Sequence, residues 1–269
     1  MRNLLVAQSG GPTSAINATI AGVIMEAHAS DQVDTIYGAV NGIKGVLEER
    51  FVNLSEKVPG EDELEILCQT PAAALGSCRV KLKNPEEDDS QFQEIIRIFR
   101  KHGIAYFIYA GGNDSMDTVD KLAAYCKEHE IEDIHVMGAP KTIDNDLWGT
   151  DMTFGFQSAV DIATDTIDKI HTTATSHSRV FIVEVMGHKV GWVTLHAGIA
   201  GGADIILLPE IPYDIDVVVN AIDRRKAAGK RFTIIAVAEG AISKEDEALS
   251  KKALKEKKAK KKYPSVAYE

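Results

Sequence analysis

The chain has 269 residues, of which 45% are hydrophobic and 26% charged, and these proportions are typical of a soluble globular protein. Its length fits two α/β lobes or one large domain. Thirty basic and forty acidic residues give a net charge of −10, which argues against general affinity for nucleic acid. We find no apolar run long enough to span a membrane and no secretory signal. Three scattered cysteines are too few for a disulfide framework or a zinc site, so we expect a cytoplasmic protein.

One pattern recurs in chain order: an apolar run ends in a glycine-containing loop and then gives way to helical or turn-like sequence. The four runs are residues 4–7, 105–109, 180–185 and 232–237. Helical spacing of apolar residues predicts helices from about 16 to 27, 92 to 100, 119 to 126 and 156 to 177. The alternation predicts an α/β fold with mainly parallel sheets. The basic run 251–262 is predicted to be an exposed helix face or linker.

Two of these loops carry a pair of adjacent glycines, Gly10-Gly11 and Gly111-Gly112. Paired glycines let the backbone approach a ligand closely, and free amides at the start of the following helix favour an anion. Two such loops indicate a polyphosphate ligand. Neither loop matches the Walker pattern or the complete dinucleotide-binding pattern, which disfavours a P-loop NTPase and a dehydrogenase.

The segment 139–146 contains one ammonium and two carboxylates, on Lys141, Asp144 and Asp146. It follows the apolar run 134–138, which predicts a buried strand with this segment on the loop at its carboxyl end, where open α/β sheets bind ligands. In an extended segment, residues two apart point the same way, so Asp144 and Asp146 are expected to face one cleft. The alternative is a polar turn, since Asp and Asn are common turn residues.

Taken together, these motifs resemble the phosphofructokinase family over almost the whole chain. The family implies two Rossmann-like three-layer lobes with the active site in the cleft between them, and Mg²⁺-assisted phosphoryl transfer to the 1-hydroxyl of fructose 6-phosphate. We predict a donor-binding lobe over residues 1–138 and a sugar-phosphate lobe over 139–269. The motifs, in order, are Ser9-Gly10-Gly11, Leu75-Gly76-Ser77-Cys78-Arg79, Gly111-Gly112-Asn113-Asp114-Ser115, the segment from Pro140 to Asp146, Ser176-His177-Ser178-Arg179, Val183-Glu184-Val185-Met186-Gly187 and Ala238-Glu239-Gly240.

The resemblance implies a role for individual residues. Asp144 matches the general base, and Asp146 matches a carboxylate associated with the metal. Arg179 matches an arginine that reaches the site of a neighbouring subunit, which implies a homo-oligomer, a dimer or a tetramer. The predicted sugar-phosphate contacts are Thr142, Asp144, Arg179, Met186, Gly187, His188 and Glu239, and the predicted diphosphate contacts are Gly10, Gly11 and Arg79.

Several of these residues have simpler interpretations, and two depart from the family. Glu239 could pair with a nearby cation, Arg79 could anchor its own loop, and Met186 could serve packing. Asn113 stands where the family usually has an aspartate, and its neutral amide is a poorer Mg²⁺ ligand than a carboxylate. His188 replaces an arginine often found there.

Two positions bear on the phosphoryl donor. Members that use ATP typically carry glycine at the positions of Asp114 and Lys141, and members that use inorganic diphosphate resemble this chain. The Asp114 carboxylate would take the space of the ATP α-phosphate, while Lys141 supplies a cation to the smaller donor. We therefore predict a reversible diphosphate–fructose-6-phosphate 1-phosphotransferase. The alternatives are an ATP-dependent enzyme and a non-catalytic, regulatory member of the family.

Family members continue past the point matching Glu269 into a segment rich in His and Arg that holds the sugar phosphate. We therefore expect this chain, taken alone, to bind fructose 6-phosphate poorly. Neither nucleic acid nor a membrane is expected as a partner.

Overall fold

The computed structural model describes residues 2–13, 15–249 and 265–268, so the basic run 251–262 lies outside the described residues. The chain divides into two compact units, one of Met1–Thr142 with Thr153–Gly155 and one of Ile143–Met152 with Phe156–Glu269. The first unit ends four residues after the predicted boundary at residue 138, because residues 139–142 continue one of its strands.

The first unit is built on a six-stranded sheet with the strand order β3-β2-β1-β4-β5-β6. Every neighbouring pair is parallel except β2 and β3. Its elements are β1 (Asn3–Gln8), α1 (Ile16–Ala29), β2 (Ile36–Ala39), α2 (Gly42–Leu47), β3 (Phe51–Asn53), α3 (Leu54–Lys57), α4 (Glu61–Gln69), α5 (Ser90–Lys101), β4 (Ile104–Gly111), α6 (Asn113–Glu128), β5 (His135–Thr142) and β6 (Phe154–Gly155).

Strand β1 runs through the middle of this sheet and is buried along its whole length. Successive side chains of a strand point to opposite faces. Leu4 and Val6 accordingly pack into a core with α1 and α3, and Leu5 and Ala7 pack into a second core with α2, α5 and α6. Helices on both faces explain why this strand is a continuous apolar run in the sequence.

Strand β5 differs from the prediction in its length and its burial. It extends through Thr142, so Lys141 and Thr142 lie in the strand and not on a loop. It is also not fully buried, since Met137 is 66% exposed. Helix α6 covers only one face, where a Cβ on Gly138 would lie 2.6 Å from Sδ of Met116. On the other face Met137 borders an open apolar cavity of about 840 Å³ that is also lined by α1 and β4.

The second unit has a parallel sheet with the strand order β7-β9-β8. Strand β9 is buried throughout, and α7 and α8 pack on the sheet through Ile167, Ala174 and Ala197. Its elements are α7 (Phe156–His177), β7 (Val180–Val185), α8 (Trp192–Ala200), β8 (Ile205–Leu207), α9 (Ile215–Ala227), β9 (Thr233–Ala238), α10 (Lys244–Glu247) and a 3-10 turn at Val266–Tyr268.

The predicted fold class is confirmed, because both units are α/β with mainly parallel sheets. All four apolar runs form strands, and all four predicted helices are present. Among the described residues, no helix combines the length and apolar character needed to cross a bilayer.

Candidate active site

The carboxyl ends of β1, β4 and β5 lie side by side in the first unit, because these strands are neighbours in the sheet. The register pairs Gln8 with Ala110 and Ala110 with Ala139. The two glycine pairs and Lys141 therefore lie together at the carboxyl end of the sheet, as the parallel arrangement predicts. Gly10 has φ +80°, a conformation that favours glycine.

Lys141 joins the two glycine loops from strand β5. Its side chain is only 2% exposed, and its ammonium donates a hydrogen bond to the carbonyl oxygen of Gly11. A Cβ on Gly10 would lie 3.4 Å from the amide nitrogen of Gly112 and 3.5 Å from Nζ of Lys141. The structure thus brings Gly10, Gly11, Gly112 and Lys141 together. Thr142 is also buried, and its carbonyl accepts a hydrogen bond from Oγ1 of Thr153 at 2.7 Å.

The segment that carries Arg79 is attached to the first glycine loop by two hydrogen bonds. Oγ of Ser77 donates to the carbonyl of Gly10 at 2.7 Å, and Oγ of Ser9 donates to the carbonyl of Cys78 at 2.8 Å. Arg79 itself is exposed. The loop is therefore anchored by Ser77 and Ser9, which leaves the Arg79 guanidinium available to a ligand.

Two ionisable groups behind this loop have shifted pKa values. Burial disfavours the thiolate of Cys78, but hydrogen bonds from the backbone of Lys44 and Val80 and from the side chains of Ser9 and Tyr109 together outweigh it and lower the thiol pKa. Burial raises the pKa of Tyr109 to about 12. The Tyr109 hydroxyl accepts a hydrogen bond from the amide of Ile43 at 3.3 Å. It lies 3.9 Å from Sγ of Cys78, so the loop packs against the core at the buried Tyr109.

Asp114 lies in the first turn of α6, immediately after the second glycine pair. Its Oδ1 lies 2.7 Å from Nζ of Lys81, and both side chains are about two-thirds exposed, at 67% and 65%. The Asp114 carboxylate raises the pKa of Lys81 through this hydrogen bond and its charge. Sequence reasoning missed Lys81. The available signal was a second cation only two residues after Arg79 in the same loop.

Asp144 and Asp146 belong to the second unit and are half-buried. The segment is not extended, since Asn145 adopts φ +56° and its side-chain amide donates to the carbonyl of Asp151 at 3.4 Å. The premise that residues 144 and 146 point the same way along an extended segment is therefore wrong. The chain turns here, as the alternative interpretation held, because Asn tolerates the left-handed region better than most residues.

Four of the predicted sugar-phosphate residues lie together at the carboxyl end of the second sheet. They are Met186, Gly187, His188 and Glu239. Strands β7 and β9 are parallel neighbours that pair Val185 with Ala238, so the segments after them are adjacent. Oε1 of Glu239 accepts hydrogen bonds from the amides of Gly187 at 3.2 Å and His188 at 2.6 Å. Among the described residues, Glu239 is thus bonded to backbone amides and not to the cation considered above. His188 has φ +52°, and the side chain of Met186 is 65% exposed.

A second carboxylate supports the same loop, and no sequence pattern indicated it. Oε1 of Glu210 accepts a hydrogen bond from the amide of Gly191 at 2.8 Å. Arg179, in contrast, directly precedes β7 and so lies at the amino end of this strand, whereas Met186 follows its carboxyl end. The six residues of the strand separate the two ends by about 20 Å. Within one chain the structure does not bring Arg179 to Met186, Gly187 and His188.

The described residues contain no group of three or more His, Cys, Asp or Glu side chains placed to hold a metal ion. Mg²⁺ does not need such a group, because it is commonly held by one or two carboxylates together with water and substrate phosphates. A carboxylate oxygen of Asp146 is a suitable ligand for it, and the exposed Asn113 at the first position of α6 offers a weaker, neutral oxygen.

Residues 3–267 match the model of the phosphofructokinase family. The chain therefore belongs to the phosphofructokinase family, a family of phosphotransferases. It is 34% identical to the crystal structure of a pyrophosphate-dependent phosphofructokinase from Marinobacter aquaeolei, with a TM-score of 0.80, covering 90% of this chain and 62% of that one. For the phosphofructokinase structure from Saccharomyces cerevisiae the identity is 26% and the TM-score 0.75, covering 95% and 36%.

Curated relatives are named for both phosphoryl donors. The chain is 40% identical to an ATP-dependent 6-phosphofructokinase of Spirochaeta thermophila, over all of this chain and 72% of that protein. It is 43% identical to a pyrophosphate–fructose 6-phosphate 1-phosphotransferase of Xanthomonas campestris, over 79% of this chain and 52% of that protein. The match thus spans between about half and three quarters of these relatives' length.

Proposed function

We propose that the protein transfers a phosphoryl group reversibly between inorganic diphosphate and the 1-hydroxyl of fructose 6-phosphate. The observation that carries the choice of donor is the placement of Asp114 and Lys141. Asp114 lies in the first turn of the helix that follows one glycine pair, and Lys141 is bonded to the other pair. Both side chains therefore border the loops that favour a phosphate anion.

The carboxylate of Asp114 would occupy the space of the α-phosphate of ATP and would repel its negative charge. Two like charges about 4 Å apart repel by on the order of 4 kcal/mol at an effective dielectric of 20, or roughly a thousandfold in affinity. The ion pair with Lys81 offsets part of this repulsion, so the volume of the paired side chains carries much of the discrimination. A diphosphate is short enough to avoid that volume.

In the proposed reaction Asp144 accepts the proton of the sugar 1-hydroxyl. The freed oxygen attacks the nearer phosphorus of the diphosphate, the bridging phosphorus–oxygen bond breaks, and inorganic phosphate leaves. Glu239 holds the loop from Met186 to His188 in place for the sugar phosphate. Asp146 would contribute a carboxylate ligand to Mg²⁺, which offsets phosphate charge when bound. We further propose a homo-oligomer in which Arg179 serves a neighbouring subunit, which fits its separation from these residues within one chain.

ATP is the second candidate donor, and the names of several relatives favour it, including that of the Spirochaeta thermophila protein. The test is a steady-state assay of the full-length protein with each donor. We expect kcat/KM for diphosphate to exceed that for ATP by at least about a hundredfold, which corresponds to about 2.8 kcal/mol. A larger kcat/KM with ATP would overturn the proposal.

The variant Asp114→Gly tests the structural reason for this preference. We expect it to gain measurable use of ATP, because it removes the carboxylate and opens the space beside α6. Asp117→Gly is the matched control, since Asp117 also lies on α6 and pairs with Lys121 at 2.7 Å. Lys141→Gly should be added only with a measurement of unfolding, because it removes a buried side chain.

A further inference from the structure

Lys81 and Asp114 form an exposed ion pair that adds little to the stability of the first unit. The distance from Nζ to Oδ1 is 2.7 Å, and both side chains are about two-thirds exposed, at 65% and 67%. Exposed ion pairs of this kind contribute little to stability. The position of the pair, at the start of α6 and beside the glycine loops, is more informative than its strength.

The first turn of α6 presents free amides and the positive end of the helix dipole, which favour an anionic ligand. Asp114 places its own negative charge at that end of the helix. An unpaired carboxylate there would repel every polyphosphate, the short donor included. A cation on the carboxylate removes this repulsion and keeps the side chain in a fixed position, where its volume still excludes a longer donor.

We infer that Lys81 is a positioning residue for the diphosphate donor, which holds the Asp114 carboxylate in place and cancels its charge toward diphosphate. This inference rests on the proposed function. It assigns donor selectivity to a pair of residues. Asp114 occupies the space that a longer donor would need, and Lys81 neutralises the Asp114 charge so that diphosphate is not repelled.

The same loop contains a matched control. Nζ of Lys83 lies 2.7 Å from Oδ2 of Asp88, in a pair of the same residue types and the same length whose lysine is as exposed as Lys81, at 64%. Oδ1 of Asp88 accepts a hydrogen bond from the amide of Ser90 at 3.1 Å, so this pair belongs to the start of α5. Removal of Lys83 therefore changes the charge of the loop equally without affecting Asp114.

The test is a double-mutant cycle on the full-length protein, with kcat and KM for diphosphate measured for Lys81→Met, Asp114→Asn and the double variant. Contacting residues in one ion-pair network usually couple, and we expect Lys81→Met to lower kcat/KM by about tenfold, mainly through KM. In the Asp114→Asn background the same change should cost less than about threefold, because no charge remains to be cancelled. Lys81→Arg should restore most of the loss, and Lys83→Met should resemble the wild type.

Two results would overturn the inference while the proposed function stands. Equal losses from Lys81→Met in both backgrounds would mean that Lys81 acts on the donor directly, without Asp114. A loss of the same size in Lys83→Met would mean that only the overall charge of the loop matters. If the unmutated protein turns over ATP but not diphosphate, the proposed function itself fails, and this control separates the two failures.

Discussion

Two adjacent glycines of the first loop differ in what a side chain would meet. Gly10 has φ +80°, where an L-residue is strained whatever the free space. Gly11 has no such conformation, and a Cβ there would meet no described atom within 4 Å. The absence of a side chain at Gly11 is therefore not explained by the local backbone and fits the approach of a ligand.

Alanine at each position separates these reasons. Gly10→Ala should lower the free energy of unfolding by about 1 to 2 kcal/mol, the cost of the left-handed conformation. Gly11→Ala should leave stability unchanged and raise KM for diphosphate by about tenfold or more, because the new methyl group occupies space next to the donor. Urea unfolding and donor titration measure the two effects. Unchanged donor kinetics in Gly11→Ala would argue against Gly11 as a diphosphate contact.

At the scale of elements, Glu239 connects the ends of two neighbouring strands. It follows β9, and its carboxylate accepts hydrogen bonds from two amides of the loop after β7. Gly240 fits the same arrangement, since a Cβ there would lie 2.1 Å from the carbonyl oxygen of His188. The loop predicted to bind the sugar phosphate is thus shaped by the segment after β9.

Replacing Glu239 with alanine leaves the amides of Gly187 and His188 without their acceptor. We expect a loss of about 1 to 3 kcal/mol in the free energy of unfolding and a higher KM for fructose 6-phosphate. Glu239→Gln keeps one acceptor oxygen and should be clearly more stable than Glu239→Ala. Glu210→Ala is a control, because it removes only one hydrogen bond from a backbone amide, whereas Glu239→Ala removes two. Equal stability of the alanine and glutamine variants would show that these hydrogen bonds do not hold the loop.

The elements that the sequence predicts correctly are those with a strong local signal. Helix α7 begins and ends at the predicted residues 156 and 177, because apolar residues recur along one face of it. Strand β5 was predicted too short, because the pairing of Lys141 with Phe154 in β6 joins residues thirteen positions apart, which no local pattern encodes. The contacts of Glu239 with Gly187 and His188 and of Lys81 with Asp114 are likewise non-local. Sequence reasoning therefore found the candidate residues of the site but not most of the contacts that position them.

At the scale of the whole molecule, the segment from Lys141 to Asp146 crosses from one compact unit to the other. Lys141 and Thr142 complete strand β5 of the first unit, and the second unit begins at Ile143. The cation and the proposed base are thus held by different cores, although they are three residues apart in the sequence.

Asp144→Asn tests whether the protein is a catalyst or a regulatory member of its family. Removal of a general base typically slows a reaction by about 10²- to 10⁴-fold, so we expect kcat to fall in that range with KM for diphosphate little changed. Asparagine keeps the shape and volume of aspartate at this half-buried position, so the free energy of unfolding should change by no more than about 1 kcal/mol. Asp151→Asn is the matched control, an exposed carboxylate in the same segment of the second unit. If the unmutated protein binds fructose 6-phosphate but turns over neither donor, or if Asp144→Asn retains full kcat, Asp144 is not the catalytic base.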